Sequence, residues 1–286
     1  MGFLENSVEE RTAGTSSSGG SRTGRNLPAA IAVGVVLGAL VIGTVYTIKE
    51  LFLLVVAGAV GVGVLELVKA FATRDIRVPA VPVLAGMVAM HAGAYWGGPV
   101  WLLAAFAVSA LVLLIWRMFS DGTDGYVRDA SASVLTLFYP AMLAAFVALL
   151  LKEGDGDHRV VIFIAVTVAS DIGGYIAGVL FGKHQLTVIS PKKTWEGLAG
   201  SIVACTAVGA WLVTWLLGGD IWQGALIGAL AAVLATVGDL IESMIKRDLG
   251  IKDLGTILPG HGGLMDRLDS LVTTLVPVWA LMTIFF

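Results

Sequence analysis

The sequence predicts an all-α, polytopic transmembrane helical bundle of about nine spans, and three observations carry that prediction. Apolar residues make up 57% of the chain and charged residues only 14%. Mean hydropathy is +0.89. The apolar residues also fall into runs of about twenty, the length that crosses a bilayer as a helix. A soluble domain carries about 25% charged residues, too many to leave such runs intact. The single cysteine, Cys205, excludes an intrachain disulfide framework and a cysteine-based zinc site. A net charge of −3 supplies no basic surface, so no nucleic-acid partner is expected.

Residues 1–26 are rich in Ser, Gly, Thr and Arg without an apolar stretch, which predicts a disordered cytoplasmic arm. The apolar run that begins at Leu27 is too long for the core of a signal peptide and has no cleavage site after it, so it reads as a retained span. Spans are expected at 27–47, 51–72, 78–96, 99–116, 131–151, 160–182, 198–218, 221–243 and 268–286. The third and fourth are divided only by Gly97, Gly98 and Pro99. We divide the membrane part into an N-terminal region, 27–130, and a C-terminal catalytic region, 131–286.

Nine crossings put the two ends of the chain on opposite sides. With the N-terminus cytoplasmic, Lys49, Lys152 and Arg159 lie outside and the other fifteen of the eighteen Lys and Arg lie inside, the asymmetry that sets orientation in membranes. The expected location is the plasma membrane, with the chemistry on its cytoplasmic side. Three segments there, 171–197, 239–253 and 261–269, combine acids, bases and glycines at the membrane boundary, where ionisable groups are functional candidates.

Asp239, Glu242, Ser243 and Lys246 are spaced to share one face if the eighth span stays helical to its end. Asp266, Asp269 and Ser270 repeat the spacing at the start of the ninth. Carboxylate oxygens on two helix ends suit Mg²⁺ better than zinc, although such acids can also pair with Lys246, Arg247 and Arg267 or favour a helix N-terminus. Between them, 250–263 holds Lys252, Asp253, Pro259, Gly260, His261, Gly262 and Gly263. Clustered glycines let backbone N–H groups approach an anion closely.

Asp171 stands in the sixth span, where an aspartate costs about 2.5–3.5 kcal/mol unless it faces a polar cavity. From there it can support a metal, bind a ribose hydroxyl or pair with a lysine. Gly174 and Gly178 beside it permit close helix contact. Ser190, Lys192, Lys193, Thr194 and Glu196, just before the seventh span, form a candidate anion or nucleotide site. His184 and His261 fit either a loop hydrogen bond or a catalytic part, and His91 and His158 are given no role.

The run SMIKRDLGIKDLGTILPGHGGLMDRLD, residues 243–269, resembles the signature of the CTP:phosphatidate cytidylyltransferases, or CDP-diacylglycerol synthases. SDIGGYIAGVLFGKH from Ser170, SPKKTWEG from Ser190 and GDLIES from Gly238 are similar to further blocks of that family. Gly174 stands where many relatives have alanine. The resemblance is specific over 170–269 and generic before that.

It implies that CTP and phosphatidate condense to CDP-diacylglycerol and pyrophosphate for phospholipid biosynthesis, in a Mg²⁺-dependent homodimer embedded in membrane lipids, with K⁺ as a candidate second cation. On that resemblance Asp239 and Asp266 are the metal ligands, supported by Glu242 and Asp269. Lys192, Lys193, Lys246, Arg247, Lys252 and Arg267 share the phosphates of the two substrates. Asp171 and Asp253 orient lysines or the ribose, and Ser190, Thr194, Glu196, Ser243, His261, Gly262 and Gly263 complete the substrate site. The phosphatidate phosphate is already an anionic nucleophile, so positioning and charge neutralisation suffice without a strong base. The nearest rival is a CTP-dependent polyprenol kinase. A secondary transporter would need repeated halves and midplane charges, which the sequence lacks.

Overall fold

The computed structural model describes residues 38–120, 122–255 and 263–286. The expected arm and the first part of the first span lie outside the described residues. What is described is helical almost throughout, with only an isolated antiparallel bridge between Gln185 and Thr194.

Nine helical runs follow one another among the described residues, one for each expected span. Helix α1 is seen over Gly38–Thr47 and α2 over Lys49–Ala72. Helix α3, Ala80–Ala92, ends in a π turn, Gly93–Gly97, and α4 covers Pro99–Ser120. Helices α5, Tyr126–Thr136, and α6, Leu143–Leu151, form one run through a π turn, Leu137–Met142. Pro140 lies in that turn, where the wider winding accommodates its ring and missing donor. Then come α7, Gly156–Phe181, α8, Trp195–Leu212 with a terminal π turn Val213–Leu217, α9, Ile221–Leu249, and α10, Met265–Phe285. Seven of the runs are long and apolar enough to cross a membrane, whereas α3 and the described part of α1 are shorter.

Two boundaries matter for function. Hydropathy ends the eighth span at 243, yet α9 continues to Leu249 and carries Lys246 and Arg247 on the helix. It stops where Gly250 takes φ +69° and Ile251 N donates to Lys246 O at 2.9 Å, a left-handed glycine cap. Likewise α10 starts at Met265, so Asp266 is helical. Apolar composition marks the oily part of a helix, while its caps mark the end.

The boundary drawn at residue 130 lies on a helix, α5, and one core joins Val64 and Leu67 of α2 to Met265, Leu275 and Val278 of α10. Both halves need each other to bury their faces.

The helices alternate in direction, so the connections gather at two ends. At one, Lys49 Nζ donates to Glu153 O at 2.7 Å and Trp222 packs on Phe285 with ring centroids 5.2 Å apart. At the other, Arg74 Nε donates to Leu249 O at 2.8 Å and Arg128 Nη2 to Asp75 O at 2.7 Å. Lys49, Lys152 and Arg159 belong to the first end and every other described Lys and Arg to the second. There too, the buried Arg117 guanidinium donates to Asp129 Oδ2 at 3.0 Å and to the carbonyls of Gly122 and Asp124 at 3.3 and 2.6 Å, pinning the connection from α4 to α5.

Helices α7, α8 and α9 cross closely because glycines remove the side chains between them. A Cβ on Gly173 would lie 2.5 Å from Ala204 Cβ and 2.7 Å from Gly200 O. Gly228 abuts the Cys205 backbone in the same manner, and Gly224 abuts Gly209. Ser201 Oγ, donating to Ser170 O at 2.7 Å, adds a hydrogen bond between α7 and α8.

Candidate active site

The close crossing of α7 and α8 opens toward the Lys- and Arg-rich end as a cleft. Asp171 and Gly174 line it from α7, Lys192, Lys193 and Thr194 from the preceding loop, Ser201 from α8, and Thr236 and Asp239 from α9. The loop is shaped by its own sequence. Ser190 O accepts from Lys193 N at 3.0 Å across a turn containing Pro191, and Leu186 N donates to Lys193 O at 2.8 Å. Thr194 Oγ1 accepts from Gly197 N at 3.0 Å and caps α8. Glu196 Oε1 meets His184 Nδ1 at 2.6 Å, while its Oε2 accepts from the Lys183 and His184 N–H groups, each at 3.2 Å. Both Glu196 and Thr194 therefore hold the loop that presents the lysines.

Asp239, Glu242, Ser243 and Lys246 do share a face of α9, and α10 supplies the facing acids. Lys193 pairs with Asp239. Asp269, 6% exposed, lies against both Asp239 and Glu242. Glu242 Oε2 accepts from Lys246 Nζ at 2.7 Å, and the same ammonium reaches Asp266 Oδ1 at 2.7 Å. Asp266 Oδ2 then accepts from Leu254 N at 3.2 Å and Gly263 N at 3.0 Å. The result is a continuous chain of charged groups from the cleft to the glycine loop, with three acids, Asp239, Asp269 and Glu242, in succession between Lys193 and Lys246. Asp171 and Arg267 lie within electrostatic reach of one another at its cleft end.

The other expected residues are placed less centrally. Ser243 is half-buried on the shared face, Arg247 is exposed on α9, and Lys252 and Asp253 are exposed in the loop after it. Gly263 is buried against Asp266. His261 and Gly262 lie outside the described residues.

Asp239 and Asp266, paired as metal ligands in the sequence reading, stand on two sides of the chain. Among the described residues, no three of His, Cys, Asp and Glu converge as ligands around one ion. Lys193 and Lys246 stand between the acids and neutralise them. The donors still suit a hard divalent cation, since all are carboxylate oxygens. Two further acids meet at Asp269, a contact that calls for a proton or a cation, and Glu242 Oε1 is buried without a hydrogen-bond partner.

Sequence reasoning missed Glu66. It lies in α2, only 2% exposed, and its Oε2 accepts from Met265 N at 2.8 Å. Its one signal is an acid inside an apolar run, and α2 had been read as a generic span. The cleft walls Ser201 and Thr236 carried no signal beyond a small polar residue in a helix.

The comparisons with known proteins cover this whole arrangement. Residues 28–285 match the model described as the cytidylyltransferase family. A phosphatidate cytidylyltransferase of Mycobacterium leprae is 40% identical over 92% of this chain and 89% of its own length. One from Mycobacterium tuberculosis is 38% identical over 92% of this chain and 84% of its own. One from Helicobacter pylori is 40% identical over half of this chain. With residues 28–285 matched, and the described part of its signature at one end of the bundle, this chain belongs to the cytidylyltransferase family.

Proposed function

We propose that this chain condenses CTP with phosphatidate, giving CDP-diacylglycerol and pyrophosphate, and that the chain of charge from Lys193 to Asp266 is its catalytic centre. The reaction is carried by the match over 92% of the chain to proteins named phosphatidate cytidylyltransferase. The site is supported by the cleft, in which Asp171, Lys192, Lys193 and Asp239 come together. We place it on the cytoplasmic side, where the Lys and Arg excess of that end belongs.

A phosphatidate phosphate oxygen attacks the α-phosphorus of CTP. The bond from that phosphorus to the α,β-bridging oxygen breaks, and pyrophosphate leaves with its electron pair. Lys192 and Lys193 reach the triphosphate from the loop, and Lys246 draws charge from the acids toward the departing phosphates. Asp171 orients Lys193 or the ribose. Asp239 and Asp266, with Glu242 and Asp269 behind them, would hold Mg²⁺, which supplies charge neutralisation at the triphosphate.

CTP labelled at the α-phosphate tests the reading in purified protein with phosphatidate. The label should enter lipid, whereas a lipid kinase leaves it in the nucleotide. Asp239→Asn and Asp266→Asn should each abolish the transfer, and substantial activity in a folded variant removes that residue from the proposed metal site.

A further inference from the structure

Glu66 is a buried carboxylate that the reaction above does not use, and its surroundings give it a task. Helix α10 begins at Met265 with no side-chain cap from its own N-cap residue, Leu264. Its first N–H is satisfied instead by Glu66 Oε2, 199 residues away in sequence. A carboxylate at that point satisfies an orphan donor and complements the helix dipole. The same carboxylate fills the space beside two glycines. A Cβ on Gly263 would lie 2.8 Å from Glu66 Oε2, and one on Gly255 would overlap the Glu66 carboxylate. These glycines flank the loop whose N–H groups at Leu254 and Gly263 hold Asp266. In the turn just after α2, Arg74 grips the other end of the loop through Leu249 O. Helix α2 and the turn that follows it thus hold the connection from α9 to α10 at both ends.

We propose that Glu66 is a positioning residue for the reaction: it fixes the start of α10 and the glycines around it, and so sets where Asp266 stands. This rests on the reading that Asp266 belongs to the catalytic centre. Displacing a reacting group by about 1 Å costs about 100-fold in rate. Glu66→Ala should therefore lower kcat by about 100-fold while KM for CTP changes little, because the cleft lies on the far side of α9. Glu66→Gln keeps an oxygen to accept from Met265 N and should recover part of the loss.

The second readout is independent of activity. With the loop released, trypsin should cut after the exposed Lys252 faster in Glu66→Ala than in the wild type, at a temperature where both remain folded in detergent. Wild-type kcat in both variants overturns the proposal, as does cleavage at the wild-type rate in folded Glu66→Ala. A kcat loss equal in the Ala and Gln variants also overturns it. If wild-type protein transfers no label from CTP to lipid, the functional reading fails, while the cleavage rates still judge the hold on the loop.

Discussion

Lys193 and Lys246 show how the site is assembled from single residues. Lys246 finds Glu242 one helical turn away, a pairing the spacing foretells. Lys193 meets Asp239 across 46 residues, and only the fold can bring them together. Removing one preorganised electrostatic contact costs about 100- to 1,000-fold in kcat, so Lys193→Ala should lose that much in the labelled-CTP assay. The same assay should detect the loss of Gly263. In Gly263→Ala the new Cβ would lie 2.7 Å from both Asp266 Oδ2 and Gly255 N, and the backbone of the loop has to move. We expect activity to fall by at least tenfold, about the cost of a sub-ångström displacement. Thr194 and Glu196 read in sequence as substrate residues because they are polar beside two lysines. Their hydrogen bonds, to Gly197 N and to His184, also hold the loop in place, which the sequence did not announce.

Between elements, the distances are set by what is missing from the side chains. Gly200 faces Gly173 O, where a Cβ would sit at 2.7 Å, and it also abuts Ala177. Gly200→Ala overpacks this crossing, at a cost of about 1–3 kcal/mol. Its thermal unfolding in detergent should move down by several degrees, and the cleft should bind CTP more weakly. Arg117→Ala tests a different junction. It removes one of the two guanidinium groups on the Asp129 carboxylate, 1% exposed, and leaves Arg128 on the other oxygen, so the loss should fall below the about 3–5 kcal/mol of a fully broken buried pair. Stability should fall with KM for CTP unchanged, since this junction is remote from the cleft. Gly174 and Gly178 announced close packing in the sequence. Which helix would fill the space, and the π turns at 93–97, 137–142 and 213–217, depend on tertiary fit and leave no periodic trace.

At the scale of the molecule, hydrophobic run length and the placement of charge were enough to give the nine helical runs seen among the described residues and the end at which the described parts of the motifs meet. They could not give the union of the two halves, because the apolar faces of α2 and α10 are each satisfied equally well, in composition, by lipid. The side of the membrane is open to direct measurement. Cys205 is fully buried, so a cysteine placed at Lys192 should react with a membrane-impermeant thiol reagent only from the cytoplasm. One placed at Lys152 should react only from outside. The reverse pattern would overturn the proposed orientation.

The reach of Glu66 across the bundle also bears on how the protein is made. α2 is the most apolar of the seven spans, and it carries a carboxylate whose partner is encoded 199 residues later. At about 5–20 residues per second, synthesis takes about 10–40 s to reach Met265. For that interval the helix stands in the bilayer with an acid that costs about 2.5–3.5 kcal/mol on insertion scales. Its exceptional oiliness is what a newborn span needs to stay in the membrane while it waits for the last helix to arrive.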